Sequence, residues 1–339
     1  MIIHKILIVI LFYFFTSCST ISSYKNIETI DSYEKEEMHK QGNFLVASMA
    51  EASRKLHDIA WRIMISNTDV CKDSKVNAFG LMIAHPNDLP LSLKSSFLSA
   101  SPNTIISKNY DYNLPMIVSI ANDSPANNAN IREGDFILSI NNTSVNSKNY
   151  KDLLKKAAKK GSLKIKVKRL EKEFIYDLQS EIICGHPVQP MVSPIPNAYA
   201  DGSKIYITIA TLDFIKDDQE IAFLISHELA HNILHYKGKG LYETEAKPIP
   251  IEEKPSLQNI SDLFIFQSAA KEIEADLMGI EYAIKAGIRQ DKVANYFRRL
   301  SIYMPQLMGN SIFRMHPGNA KRVSNIENKL KILDYKYNN

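Results

Sequence analysis

The clearest periodic pattern of apolar residues in the first quarter of the chain runs from about residue 34 to residue 67. Apolar side chains recur there every three or four positions with charged side chains between them, which predicts an amphipathic helix. Because its polar face is not predominantly basic, we expect the helix to pack on the main domain rather than lie on a membrane surface. The apolar positions are Leu45, Met49, Ala52, Leu56, Ile59 and Ile63.

The segment Asp217–Tyr236 has the same period, and its apolar residues predict a buried helix. This helix contains the pattern H-E-x-x-H, formed by His227, Glu228 and His231. Residues four apart share a helix face, so both imidazoles converge on a point that suits Zn²⁺, with Glu228 placed to deprotonate a metal-bound water. A chance match of five residues is the alternative. However, two histidines facing a core without a metal would be costly unless every ring nitrogen found a partner.

A second helix is predicted from about Ser261 to Ala286. It carries Glu272 and Asp276, which are four residues apart and share a face. A site with two histidines needs a third ligand, commonly a carboxylate, and Glu272 fits that role. Asp276 fits as the acceptor that orients a ligand histidine through its other ring nitrogen. The alternative is an acidic helix face in solvent, and Glu274, which points away from this pair, is the weaker candidate.

Residues 76–183 have a different pattern, with short β-like runs separated by turn residues and by one helix, Tyr150–Lys159. We expect this stretch to be a separate β-rich unit. Its predicted strands are Asn77–Ala84, Met116–Ile120, Phe136–Ile140, Leu163–Arg169 and Glu173–Leu178.

One part of this unit resembles the signature of PDZ domains: Ser124-Pro125-Ala126, then Ala129, Ile131, Gly134-Asp135, Ile137 and Ile140-Asn141. The resemblance implies a domain that binds an extended peptide by adding it as a strand to an exposed sheet edge. The stretch Gly80–Ile83 is only a loose version of the carboxylate-binding loop of such domains, and residues 85–113 are a polar insertion. A generic β-rich insert is the alternative.

Two further stretches flank the H-E-x-x-H helix. Lys204–Ile209 alternates as a strand, and we expect it to be an edge strand with which an extended substrate pairs. Residues 238–262, rich in Gly, Pro, Glu and Ser, are predicted to form a long loop, which is either a lid or a disordered connector.

Length and charge narrow the class of protein. With 339 residues and 38.4 kDa the chain has room for about two domains. A net charge of +4 is too mild to indicate nucleic-acid binding, and no dense basic patch is interleaved with aromatic residues, so we expect no nucleic-acid partner.

The N-terminus predicts export. Lys5 precedes an apolar run from Ile6 to Phe15, which is too short to span a membrane and has the form of a signal peptide. Cys18 follows small residues, as in the bacterial lipobox, and would be lipidated to anchor the protein. Because Ser19 is not aspartate, the outer membrane is favoured by this resemblance, with the protein facing the periplasm. Plain secretion with a free N-terminus is the alternative.

The three cysteines agree with this location. If Cys18 carries lipid, Cys71 and Cys184 remain as one pair, and an exported location permits a disulfide between them. The bridge would join the two ends of the β-rich insert. A buried free thiol is the alternative.

The H-E-L-A-H pattern and the E-I-E-A-D-x-x-G stretch Glu272–Gly279 together resemble bacterial HtpX-like and CAAX-prenyl-protease-like zinc metallopeptidases, which are gluzincins. The exported BepA-type proteins are the nearest branch. The resemblance implies an endopeptidase with one Zn²⁺ per chain, held by His227, His231 and Glu272, and with Glu228 as general base and later acid.

The resemblance continues into His316-Pro317 and Arg322. It implies that His316 lies near the metal, where it would stabilise an oxyanion or occupy the open coordination position. Arg322 is the other candidate donor to the developing charge. A helix N-terminus with proline in its first turn is the alternative for His316.

We therefore predict an α+β protein with a mostly helical zincin-like domain, a small edge sheet and an inserted PDZ domain. The expected function is hydrolysis of unfolded or misassembled envelope polypeptides in periplasmic quality control, with the PDZ domain selecting substrates. The alternative is an envelope-assembly chaperone or peptide-binding protein whose peptidase core is gated or inactive. The predicted segments are a signal peptide (1–17), a tether (18–34), an N-terminal helix (35–75), the PDZ domain (76–183) and the catalytic domain (184–339).

Overall fold

The structure is a computed structural model in which residues 31–102, 113–251, 268–303, 305, 308 and 318–338 are described. The predicted signal peptide, Cys18, most of the predicted tether and His316 lie outside these residues. The chain divides into two units, and the first, residues 1–40, is described only where a helix begins. None of the described helices combines the length and the apolar character that a membrane crossing requires.

The helices of the described residues are numbered in chain order. They are α1 (Asp31–Ser66), α2 (Pro125–Asn128), α3 (Tyr150–Lys160), α4 (Ile209–Phe214), α5 (Asp218–Ala230), α6 (Ala269–Lys285), α7 (Val293–Tyr303) and α8 (Asn319–Asn338). Segments of 3₁₀ helix lie at Pro86–Asp88, Leu91–Ala100 and Glu243–Glu245, and a π-helical turn lies at His231–Tyr236.

The strands of the same residues form three sheets. They are β1 (Lys75–Ala78), β2 (Leu81–Ala84), β3 (Met116–Ile120), β4 (Phe136–Ile140), β5 (Thr143–Ser144), β6 (Ser162–Arg169), β7 (Lys172–Gln179), β8 (Glu181–Cys184), β9 (Val188–Met191), β10 (Ala198–Ala200) and β11 (Ile205–Thr208).

The β-rich unit is built on an antiparallel sheet of six strands in the order β2-β3-β4-β6-β7, with β5 paired to β4. Helix α3 packs on this sheet through the buried side chains of Tyr150, Leu154 and Ala157. The predicted single strand Asn77–Ala84 is broken at Gly80, whose φ of 76° turns the chain between β1 and β2. As a result β2 lies at one edge of the sheet, and β1 pairs elsewhere.

Two contacts hold the ends of this unit together, one a strand pairing and the other a disulfide. Strand β1 pairs with β8 in an antiparallel ribbon that sets Lys75 opposite Cys184. Cys184 also forms a disulfide with Cys71, 113 residues earlier. The predicted disulfide is therefore present, and it joins the two ends of the insert.

The described part of the predicted polar insertion contributes apolar side chains to the core. Phe97 and Ala100 are fully buried, in one apolar cluster with Val46 and Met49 of α1. This cluster attaches the insert to α1.

The third sheet corrects one expectation. Its order is β10-β11-β9, with β11 antiparallel to β10 and parallel to β9. The strand predicted at Lys204–Ile209 is therefore central and paired on both sides, so an extended substrate cannot add to it. Strand β9 is not among the predicted strands, because it contains Pro190 and proline cannot donate a hydrogen bond to a neighbouring strand.

The largest apolar cluster lies between α1, the β9–β11 sheet and helices α5 to α8. Its fully buried members include Leu56, Ile63, Ile207, Ile221, Phe223, Ile225, Leu229, Ala275, Ile280 and Ile326. Helices thus dominate this part of the chain, and a small sheet lies beside them. The α+β class expected from the sequence is confirmed.

Candidate metal centre

Helix α5 carries the H-E-x-x-H pattern into the core. Its N-terminus is capped by Asp217, whose side chain accepts a hydrogen bond from the Gln219 amide at 3.0 Å. Almost every residue of the helix is buried, so the two histidines are exposed by only 4% (His227) and 3% (His231). At the second histidine, His231, the helix widens into the π-helical turn, which is followed by Lys237 in a left-handed conformation.

Helix α6 packs directly against α5 at the first histidine. A Cβ added at Gly279 would lie 2.9 Å from the backbone nitrogen of His227 and 3.0 Å from its Cα atom. Only glycine permits this approach, which explains physically why the E-x-x-A-D-x-x-G pattern ends in glycine. The contact brings Glu272 and Asp276, both buried, to the histidine face of α5.

Three ligand atoms converge between the two helices. His227 Nε2 and His231 Nε2 are 3.1 Å apart. Glu272 lies close to both, with Oε1 3.4 Å from His231 Nε2 and Oε2 3.7 Å from His227 Nε2. Ligand atoms about 2.0–2.2 Å from a tetrahedral zinc ion lie roughly 3.3–3.6 Å from one another. The spacing and the donor set therefore fit a metal ion that the three residues would hold together.

The second ring nitrogen of each histidine also faces a partner. His227 Nδ1 lies 3.0 Å from Asp276 Oδ1. His231 Nδ1 lies 2.8 Å from His235 Nδ1, and His235 Nε2 lies 3.0 Å from Glu274 Oε2. With both Nε2 atoms turned to a metal, the Nδ1 proton of His231 would point to His235, an arrangement that fixes ring orientation. His227 Nδ1 lies close to Asp276 without the geometry of a hydrogen bond, so the contact between them is electrostatic.

Sequence reasoning missed His235 and gave Glu274 no role. The signal that could have found His235 is the four-residue spacing of the histidines at 227, 231 and 235, which puts all three on one helix face. Glu274 was expected to point away from the Glu272–Asp276 pair, and its side chain is 57% exposed. It nevertheless reaches His235 from the neighbouring helix.

Arg322, on α8, lies behind the acidic pair of α6. Its Nε and Nη2 atoms donate to the two oxygens of Asp276 at 2.8 and 2.5 Å, and its Nη1 atom lies 3.7 Å from Glu272 Oε2. The guanidinium also stacks 4.6 Å from the ring centre of Phe297. Burial would raise the pKa of Asp276, but the charge and hydrogen bonds of Arg322 hold that pKa below its ordinary value. The neighbouring carboxylate raises the pKa of Arg322 in turn, against the effect of burial.

Two further groups near the site are Glu228 and Tyr296. Glu228 is buried, with 6% exposure, and its charge acts on both His231 and Tyr296. Burial lowers the pKa of His231, but the hydrogen bond to Glu272 and the charges of Glu228 and Glu272 outweigh it and raise that pKa above its ordinary value. Burial raises the pKa of Tyr296 to about 12, so its hydroxyl stays neutral at pH 7.

Comparison with known proteins finds two family models in the chain. The model described as PDZ domain matches residues 105–177, and the model described as Peptidase family M48 matches residues 160–244 and 254–330. Together they define a metallopeptidase that carries a peptide-binding PDZ domain. The second half of the chain thus matches peptidase family M48, whose members depend on zinc.

A solved structure similar to part of the chain is titled a crystal structure of the HtrA3 PDZ domain bound to a phage-derived ligand (FGRWV). The two share 16% sequence identity with a TM-score of 0.25, over 33% of this chain and 91% of that one. No curated protein matches the chain.

Proposed function

We propose that the chain is a zinc-dependent endopeptidase whose single zinc ion is held by His227, His231 and Glu272. The observation that carries the proposal is the convergence of these three buried ligand atoms at distances close to those of a tetrahedral site. Zinc bound there would lower the pKa of a water molecule and polarise the carbonyl of a peptide bond.

In this proposal Glu228 is the general base. Its carboxylate takes the proton of the attacking water and later delivers it to the leaving amine, a role worth about 10²–10⁴ in rate. Burial beside the histidines keeps this carboxylate close to the reacting atoms and away from bulk water. His316 stays a candidate for oxyanion stabilisation or for gating of the metal.

We assign the surrounding residues to positioning. Asp276 orients His227, and the pair of His235 and Glu274 orients His231. The sequence predicts that Arg322 donates to the developing charge of the substrate. We propose a different role, because two nitrogens of its guanidinium already donate hydrogen bonds to Asp276. It holds the carboxylates of α6 in register with the histidines.

We infer that substrates are extended polypeptides. Strand β10 is an edge of the three-stranded sheet and lies against α5, so a substrate strand would add there rather than to β11. The predicted signal peptide and lipidated Cys18 support a periplasmic location with an outer-membrane anchor. Unfolded or misassembled envelope proteins would then be the substrates, as in a BepA-type quality-control peptidase.

The test compares hydrolysis of unfolded β-casein by wild type and Glu228→Gln, with zinc content measured for both. The Gln variant should keep its zinc and lose activity by about 10²–10⁴-fold. Glu281→Gln, on the side of α6 that pairs with Lys329, is the matched control and should stay active. Glu272→Ala should lose zinc.

Two results would contradict the proposal. One is wild-type protein that binds zinc but leaves casein intact under all conditions, which would favour a chaperone or peptide-binding protein with an inactive core. The other is full zinc occupancy in Glu272→Ala, which would remove this residue from the ligand set.

A further inference from the structure

The loop that precedes β2 already holds a carboxylate. The backbone N–H groups of Phe79 and Gly80 donate to the two oxygens of Glu243, at 3.0 and 2.8 Å. This loop opens the Gly80–Ile83 stretch, which resembles the carboxylate-binding loop of PDZ domains. Glu243 lies outside the β-rich unit in the sequence, and it follows His231 by only 12 residues.

The loop is built rigidly around this contact. Gly80 has a φ of 76°, and a Cβ there would lie 2.1 Å from the Ser124 side chain. The carbonyls of Phe79 and Gly80 accept hydrogen bonds from the amides of Ala126 (3.0 Å) and Ala121 (3.1 Å). Both N–H groups are therefore fixed towards Glu243, as in the backbone concavities that bind anions.

The carboxylate of Glu243 is largely shielded from solvent. Its side chain is only 14% exposed, and His57 Nε2 lies 3.9 Å from Oε1. His57 is oriented from its other ring nitrogen by Ser119 at 2.9 Å. A shielded carboxylate with two amide donors is a specific contact, because charge-assisted hydrogen bonds are about twice as strong as neutral ones.

The residues beside Glu243 reach α3, which together with β2 borders the groove of the β-rich unit (the PDZ groove). Tyr242 packs against the apolar core of the β-rich unit, with Lys155 Nζ 5.9 Å from its ring centre. Glu245 pairs with the same Lys155 at 2.7 Å. Because Lys155 belongs to α3, the turn Glu243–Glu245 lies between α3 and the loop before β2.

The chain then continues along the groove. Lys247, Pro248 and Ile249 line a small cavity together with Ala84, the last residue of β2, and Lys151 of α3. The segment thus follows β2 from its beginning to its end and in the same direction. All four residues of β2 are buried, although β2 is an edge strand of its sheet.

We propose that residues 242–249, the occluding segment, are a built-in ligand of the PDZ groove, with the Glu243 side chain in the place of a peptide's terminal carboxylate. A peptide with a free C-terminal carboxylate and an apolar last residue binds the same loop and must displace the segment first. The affinity of the groove is thereby lowered by the fraction of molecules in which it is closed.

Displacement would also act on the metal helix. The segment is joined to the π-helical turn by residues 237–241, which thread closely between other parts of the backbone. A Cβ at Gly238 would lie 1.3 Å from the Gly202 carbonyl oxygen and one at Gly240 2.3 Å from that of Ser74, while the Leu241 amide donates to Gly185 at 2.7 Å. Movement of the segment reaches the turn that begins at His231 only when these contacts open with it, and exchange of the Leu241 amide reports that opening. This last consequence rests on the proposed function, whereas the competition does not.

The experiment measures peptide binding to the full-length protein by fluorescence anisotropy. The probes are fluorescein-labelled decapeptides that end in Ala, Val, Leu or Phe, each made with a free carboxylate and with a C-terminal amide. Glu243→Ala and the isosteric Glu243→Gln should bind the carboxylate forms about tenfold more tightly than wild type, because the closed state loses its charged contact. Amidated peptides should bind more weakly throughout. Glu173→Gln removes the same charge from the opposite edge of the sheet and should equal wild type.

Hydrogen exchange supplies a readout that does not depend on peptidase activity. Saturating carboxylate peptide should speed exchange of the Leu241 and Lys247 amides, which are hydrogen-bonded to Gly185 and Gln189 in the closed state. Equal affinities of wild type and both Glu243 variants would overturn the proposal. So would the absence of binding in every variant with native circular dichroism, or binding that leaves these amides unchanged.

Discussion

Gly279 gives the sharpest test of how the two helices of the metal centre are held. The change Gly279→Ala adds one methyl group at the closest point between α5 and α6. That methyl carbon would lie 2.9 Å from the backbone nitrogen of His227, 3.0 Å from its Cα and 3.3 Å from the carbonyl carbon of Ser226. All three are backbone atoms of a buried helix, so no side-chain rotation can relieve the contacts.

The magnitude follows from these distances. Non-bonded carbon atoms are at their best separation at about 3.5–4.0 Å, so the helices must part by roughly 0.5–1 Å. Overpacking of this kind costs about 1–3 kcal/mol. The better helix propensity of alanine returns about 1 kcal/mol, which leaves a net loss of stability of about 0–2 kcal/mol.

The larger effect of this substitution is on the affinity for zinc. Glu272 and Asp276 move with α6, whereas His227 and His231 move with α5. Ligand distances in metal sites hold to about 0.2 Å, so a separation of roughly 0.5 Å lengthens and strains the contact of Glu272 with a tetrahedral ion. We expect zinc affinity to fall by about tenfold to a hundredfold, similar to the loss of an outer hydrogen-bond partner.

The assay is competition for zinc with a chromophoric chelator, together with thermal unfolding of the metal-free protein. Gly42→Ala is the matched control, because its added Cβ would meet a side-chain atom, Ser96 Oγ at 2.8 Å, which can rotate away. That variant should keep its zinc affinity. If Gly279→Ala binds zinc as tightly as wild type and unfolds at a higher temperature, the close approach of α5 and α6 does not set the geometry of the site.

Two other substitutions probe the groups behind the ligands. Asp276→Asn removes the charge that Arg322 pairs with most closely, and it should destabilise the fold by about 3–5 kcal/mol in urea unfolding. Adding Arg322→Met to this variant should restore part of that loss. Additive effects of the two changes would contradict a coupled pair. His235→Ala removes the partner of His231 and should lower zinc affinity by about tenfold or more in the chelator assay. Glu274→Gln, at an exposed position, should have a smaller effect, and equal losses in both variants would refute the proposed order.

The features that the sequence predicted well are those encoded in a short window. Helix α1 and the helix of His227 and His231 follow from apolar residues at helical spacing, because one turn fixes which side chains share a face. The same spacing put Glu272 and Asp276 together on α6. The disulfide followed from a count, since only two cysteines remain once Cys18 is set aside.

What the tertiary structure alone decided concerns partners far apart in the chain. Arg322 and Asp276 are 46 residues apart, and Glu243 and Gly80 are 163 apart. Strand β11 is central rather than at an edge because β9, a strand that contains proline, pairs with it in parallel. An apolar or charged pattern indicates that a side chain will be buried or paired. It does not indicate which residue will be the partner, because that is decided when separate elements pack. The H-E-x-x-H helix could therefore be read from the sequence, while the arginine behind its site and the glutamate that fills the PDZ groove required the fold.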